Sequence, residues 1–275
     1  MTTELPLFQI DAFTDRVFGG NPAAVMLLEQ WMPDDELARL AVENNLPATA
    51  FLVSADPPSE AVAGDVAFAL RWFTPTAELD LCGHATLASG WLVLERLLPD
   101  VTAVWFSTRS GWLSVRRSEE GRMAMDFPSN MPERVDIPED SVAVVGVVPV
   151  AAWATVDLLL LVVDHQSEVR GLSPDPALMK QWPRRGVIVT APADDSSADF
   201  VSRVFYPGAG IGEDHVTGSA HTILGPYWAA RLNNHQLRAR QISARGGDLW
   251  LSVAGDRVVI EGKCTDYLTG TVTLP

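Results

Sequence analysis

The 275 residues carry 35 Asp and Glu against 20 Lys and Arg, a formal net charge of −15 with a pI near 4.6. Basic runs such as Arg116-Arg117 and Arg184-Arg185 are too short to make a phosphate-binding surface, which argues against nucleic acid as a partner. At 47% hydrophobic and 20% charged residues the composition is that of a globular chain with its own core, and the only cysteines, Cys82 and Cys264, are too few for a disulfide framework.

Taken in chain order, short β-branched or aromatic runs bounded by Gly, Pro, Asp or Asn predict strands at Phe8–Phe13, Ala23–Leu28, Thr49–Val53, Val66–Phe73, Val104–Thr108, Trp112–Arg117 and Met123–Phe127. The second half repeats the texture at Thr155–Val163, Val187–Thr190, Phe200–Tyr206, Leu249–Val253, Arg257–Glu261 and Gly270–Leu274. Helices are few. Asp34–Glu43 places Leu37, Leu40 and Ala41 at helical spacing behind an acidic first turn, Pro176–Gln181 is short, and Ala85–Leu97 and Thr217–Leu232 each follow a Gly-containing turn. Val142–Val163 has the length of a membrane span, but Pro149 and Asp157 interrupt it and its Val-rich runs read as buried strands. No membrane partner is expected, and with no signal-peptide pattern at Met1–Asp11 the expected location is the cytoplasm.

The two long helices are related. Setting Gly83 on Gly218 brings Ala85 onto Ala220, Gly90 onto Gly225, Arg96 onto Arg231 and Leu97 onto Leu232. This predicts an α+β chain of two pseudo-symmetric halves, 1–128 and 129–275, joined near Asp126–Arg134, with strands wrapped around one helix in each.

Chemistry-bearing residues gather at the two helix entries. The first holds Cys82, Gly83, His84, Ala85 and Thr86; the second holds Asp214, His215, Thr217, Gly218, Ser219 and His221. A helix N-terminus offers unpaired N–H groups and a positive dipole end, which bind carboxylates and lower the pKa of a thiol. Taken singly, each motif is explained by a buried cysteine or an ordinary N-cap. Taken together in a pseudo-symmetric chain, they predict one cleft in which Cys82, His84, Asp214 and His215 act on a small carboxylate. The glycine-rich Gly208–Gly212 stretch does not have dinucleotide-binding spacing, and Glu213 and Asp214 stand where a pyrophosphate would sit. No metal-ligand spacing is present, and no metal or cofactor is expected.

Several segments together resemble the PhzF-like isomerases, relatives of diaminopimelate epimerase and proline racemase. They are Gln9–Phe13, Gly20–Val25, Arg71–Pro75, Glu78 with Leu81–Thr86, Met125–Pro128, Arg203–Pro207, Ile211–His221 and Arg245–Gly247. The resemblance implies the diaminopimelate epimerase-like fold, with two barrel-like halves and the active site between them. It also implies cofactor-free isomerisation by proton transfer, often in a homodimer. Carried over by position, His84 and Asp214 match the family's active-site His and Asp, and Gly83, Gly218 and Ser219 match positions that hold the substrate carboxylate. Asn21, Ala85 and Thr217 complete the expected binding set. One position departs: where the family has its principal acid/base Glu, in a segment like Asn-Leu-Ser-Glu-Thr-Ala-Phe, this chain has Ala48 within Asn45–Phe51. Three readings follow. The first is an isomerase using Cys82 with Asp214 or His215, since Cys82-Gly83-His84 resembles the first racemase cysteine motif and His215 falls at the second cysteine's position. The second is a silent binder of a small carboxylate, and the third a lyase or tautomerase that needs only Asp214 and His84.

Overall fold

The structure, a computed structural model, describes residues 2–209 and 211–274, so Gly210 of the glycine-rich stretch lies outside the described residues. The chain divides into two compact units, Met1–Asp126 with Glu261–Pro275, and Phe127–Ile260.

The first unit opens with β1 (Thr3–Ala12), β2 (Asn21–Leu28), α1 (Asp34–Asn44), β3 (Ala48–Ala55), β4 (Val66–Phe73) and the two-residue β5 (Glu78–Leu79). Then come α2 (Gly83–Trp91), β6 (Ala103–Thr108), β7 (Gly111–Arg117) and β8 (Met123–Pro128). The second holds β9 (Glu133–Val135), α3 (Ser141–Val145), β10 (Ala151–Ala154), β11 (Leu158–Val162), α4 (Gln166–Arg170) and α5 (Pro176–Met179). It continues with β12 (Gly186–Pro192), β13 (Phe200–Tyr206), β14 (Ile211–Asp214), α6 (Gly218–Leu232), β15 (Gln236–Gln241), β16 (Gly247–Ala254) and β17 (Arg257–Gly262). The last strand, β18 (Cys264–Leu274), lies antiparallel along the whole of β1. The sequence reading placed 261–275 with the second half; backbone pairing to β1 joins this stretch to the first.

Pairing order repeats between the units. In the first, β1–β2 is antiparallel, β2–β3 parallel, β3–β4 and β4–β5 antiparallel, β4–β6 parallel across α2, and β6–β7 antiparallel. In the second, β10–β11, β11–β12, β12–β13, β13–β14, β13–β15 across α6, and β15–β16 follow the same alternation. Each parallel step needs a crossover connection, and helices supply it. The stretch Val142–Val163 is cut into α3, β10 and β11, with a turn at 155–157 where a strand was expected. No helix among the described residues is long and apolar enough to cross a membrane.

Both central helices are apolar on every side, which fits a buried helix better than a surface one. In α2 every residue from His84 to Gly90 is buried, and the helix touches β1, β2, β3, β7 and β18. Its hydroxyls are satisfied within the helix: Thr86 Oγ1 donates to the Cys82 carbonyl and Ser89 Oγ to the Ala85 carbonyl, both at 2.7 Å. Beyond Trp91 the chain widens to π-helical pitch over Leu92–Leu97. In α6, Pro226 has no N–H to give the Thr222 carbonyl, and the Asn130 N–H takes that acceptor at 3.0 Å instead.

Gly90 is required by close packing, since a Cβ there would lie 2.4 Å from Val115 Cγ1; at Gly225 the nearest atom, Val258 Cγ1, is 3.3 Å away. A separate cluster in the first unit packs Leu37, Leu40 and Ala41 of α1 against Met26, Phe51 and Phe73, as the helical spacing of those residues predicts.

Candidate active site at the helix entries

The strand that leads into each helix is pinned by an arginine. In the first unit Arg71 of β4 grips Glu78 of β5 with Nε–Oε1 at 2.7 Å and Nη2–Oε2 at 2.9 Å, and its guanidinium lies 5.1 Å from the Phe73 ring centroid. In the second, Arg203 of β13 grips Glu213 of β14 at 2.7 and 2.8 Å, and lies 5.2 Å from the Phe205 ring. Strand alternation puts Arg and the Phe two residues on along one face, while the hairpin register sets Phe73 beside Glu78 and Phe205 beside Glu213. Each Arg has a further partner set. Arg71 Nη1 donates to Asp34 at 2.8 Å, holding that carboxyl below its usual range, while Glu78 raises the Arg71 pKa. Arg203 Nη1 reaches the Val169 and Leu172 carbonyls at 3.4 and 3.2 Å.

At the first entry Cys82 is the N-cap in extended conformation, and its own side chain makes no cap hydrogen bond. Cys82 and His84 are buried, with Sγ 3.5 Å from His84 Nδ1 and 3.9 Å from Nε2. That makes a thiol–imidazole pair at a helix N-terminus, the setting that activates a thiol. Asn21, the first residue of β2, is buried opposite Ala12. Ala48 opens β3, buried beside Ala23 of β2. Glu43, the acidic residue nearest before it, is exposed on α1.

At the second entry Thr217 is the N-cap, again extended and with no cap hydrogen bond from its own side chain. Thr217 Oγ1 donates to Asp214 Oδ2 at 2.6 Å. Gly218 is buried and Ser219 is exposed at the helix start. His215 is half-buried; burial, then the charge of Arg245, push its pKa down, and Ser243 Oγ donates to its carbonyl at 2.7 Å. His221 serves the fold: fully buried, it donates from Nδ1 to the Thr217 carbonyl at 2.8 Å, stacks on Phe200, and has its pKa pushed down to about 4 by burial. The cap positions make Thr217 the counterpart of Cys82 in the internal repeat, so His215 stands two residues before that counterpart.

Three features escaped the sequence reading. The Arg–Glu brackets left a signal, Arg-x-Phe followed by a Glu five residues before the helix glycine, in both halves. Gln241, whose amide holds the second entry, left none. Nor did Tyr206 at the end of β13, whose hydroxyl is pushed up to about 12 by burial, against the influence of Ser219, with Asp214 adding to the rise.

The family model for phenazine biosynthesis-like proteins, PhzC-PhzF, matches residues 10–270. The chain belongs to the PhzF family. An uncharacterized isomerase of Pseudomonas aeruginosa is 48% identical over 271 residues, 98% of this chain and 100% of the relative. A human phenazine biosynthesis-like domain-containing protein is 37% identical, covering 98% and 99%. The crystal structure of a PhzF-family protein from Enterococcus faecalis superposes with a TM-score of 0.91 at 40% identity, covering 99% of this chain and 100% of the other. A hydroxyproline epimerase from Agrobacterium vitis shares the fold at 13% identity, with a TM-score of 0.60 over 98% of this chain and 93% of that one. The PhzF chain described here therefore has the α+β, diaminopimelate epimerase-like fold, each half a barrel-like sheet around a central helix.

Proposed function

We propose that this PhzF-family chain is a cofactor-independent isomerase or epimerase of a small carboxylate, with the groups at its two helix entries serving as the two ends of one proton transfer. Asp214 is one acid/base. The thiol of Cys82, with His84 against its sulfur, is the other, standing in for the glutamate that Ala48 replaces. The observation that carries this reading is the Cys82–His84 contact at 3.5 Å: it supplies a proton-transfer pair in the same half of the chain in which Ala48 replaces the family's usual carboxylate. The helix N-termini at Gly83 and Gly218 direct a positive dipole end at the substrate carboxylate, with Ser219 adding a hydroxyl. His215, kept neutral by burial, lies beside Asp214 as a second acceptor.

One observation favours a second reading, a binder without turnover. Ala48 is fully buried and cannot move a proton, and loss of a general acid/base typically costs about 10²- to 10⁴-fold in rate.

Solvent deuterium incorporation into a panel of small carboxylates separates the readings. The panel includes dihydro-hydroxyanthranilate, proline, hydroxyproline and diaminopimelate. Deuterium uptake with unchanged connectivity supports the isomerase, tight binding without uptake supports the silent binder, and fragmentation of the substrate supports a lyase on the same fold.

A further inference from the structure

One buried amide organises the turn between β14 and α6. Gln241, the last residue of β15, is fully buried. Its Oε1 accepts the Thr217 N–H at 2.9 Å, and its Nε2 donates to the Asp214 carbonyl at 2.7 Å. Backbone N–H and C=O have fixed polarity, so these two bonds decide which way round the amide sits. The second proton of Nε2 then points at Thr217 Oγ1, 3.3 Å away. That oxygen accepts there, so its own proton is left to donate elsewhere. It goes to Asp214 Oδ2 at 2.6 Å, a length typical of a hydroxyl bonded to a carboxylate.

We infer that Gln241 is a positioning residue for Asp214: acting through Thr217, it fixes a hydroxyl donor on the Asp214 side chain and so keeps that group a carboxylate, ready to accept a proton. The inference rests on reading Asp214 as a proton-transfer group. Nothing in the order of events requires Gln241 to touch substrate, and its amide has no proton to exchange in the reaction. The charged and titratable groups near Asp214 include Glu213, bound by Arg203, and Tyr206 on β13, and His215 in the turn itself, with Arg245 beside His215. They are left in place by every substitution below. The order of donors makes a specific demand: removing the Gln241 donor frees the Thr217 hydroxyl to turn, whereas removing the hydroxyl makes Gln241 irrelevant to the carboxylate.

The test is a ¹³C NMR titration of the Asp214 carboxyl in protein labelled at aspartate Cγ, with the signal assigned by its loss in Asp214→Asn. Gln241→Met and Thr217→Val should each raise the titration midpoint by about one pH unit, a tenfold change in proton affinity. Thr217→Ser should restore the wild-type midpoint, and the double variant should shift no further than Thr217→Val alone. An unchanged midpoint in folded Gln241→Met, or additive shifts in the double variant, would overturn the inference. If Gln241→Met does not fold, Gln241→Leu removes the donor with another neutral side chain, and must shift the midpoint upward by as much. Because the titration uses no substrate, its failure removes Gln241 from the account without touching the exchange assay. Failure of that assay removes the reaction without touching the titration.

Discussion

Glu213 receives two parallel hydrogen bonds from Arg203, from Nε at 2.7 Å and Nη2 at 2.8 Å, and this fork ties β14 to β13 one residue before Asp214. Only a planar guanidinium makes both bonds at once, and a lysine would replace the fork with a single point charge. Arg203→Lys should therefore lower the unfolding free energy by about 1–3 kcal/mol in a denaturant titration. Asp35→Asn, which breaks the exposed 3.8 Å pair with Arg39 and removes one of three acidic groups in the first turn of α1, should cost less than about 1 kcal/mol. Equal effects from the two substitutions would show that the fork is worth no more than a surface pair.

Gly90 and Gly225 occupy corresponding places in the two helices, yet they should respond differently to a methyl group. A Cβ at Gly90 meets all three of Val115 Cβ, Cγ1 and Cγ2 within 2.7 Å, so Gly90→Ala should cost about 1–3 kcal/mol. At Gly225 the nearest atoms stand 3.3 to 3.6 Å away, and the gain in helix propensity, roughly 0.5–1 kcal/mol, offsets the crowding. Gly225→Ala should leave stability within about 1 kcal/mol of wild type, and calorimetric melting of both variants checks the contrast.

His221 makes stability depend on pH. Its folded pKa is near 4 against an ordinary 6.5, so below pH 6.5 the unfolded chain binds a proton that the folded one refuses. Stability from this group is intact above pH 6.5 and falls by about 1.4 kcal/mol per pH unit as pH drops toward 4, then levels off. The whole effect is about 3 kcal/mol. Denaturant titrations of wild type and His221→Asn between pH 7 and 4 should converge as pH falls, because the variant lacks this slope; parallel curves would show that His221 takes up its proton in the folded state.

Cys82 should be indispensable if its thiol moves the proton. Cys82→Ser keeps size and the extended N-cap but offers a far weaker acid, so deuterium uptake on a responding carboxylate should fall by about 10²- to 10⁴-fold with little change in binding. Unchanged uptake would remove the thiol from the mechanism and leave Asp214 and His215 as the pair.

The most legible parts of the fold were those where one residue type dictates the outcome. Leu37, Leu40 and Ala41 wrote α1 into the sequence, and the aromatic-rich run Val66–Phe73 coincides with β4. The matched glycines announced the internal repeat because close helix packing tolerates no side chain at Gly90. What stayed hidden depends on partners distant in sequence. Strand β15, Gln236–Gln241, is polar at alternate positions and short of β-branched residues, and only pairing with β13 and β16 makes it a strand. Its terminal Gln241 was accordingly passed over, although its amide makes three hydrogen bonds to Asp214 and Thr217 at the second helix entry. The C-terminal strand was assigned to the wrong half for the same reason: nothing within 264–274 says that its partner is β1.

The central claim is that Asp214 transfers a proton, and the most direct measurement compares wild type with Asp214→Asn for deuterium uptake into whichever carboxylate of the panel responds. Asparagine keeps the shape and can still accept the Thr217 hydroxyl bond, but it cannot take a proton. The account predicts a loss of uptake of about 10²- to 10⁴-fold with substrate still bound. Uptake at the wild-type rate in Asp214→Asn would contradict it.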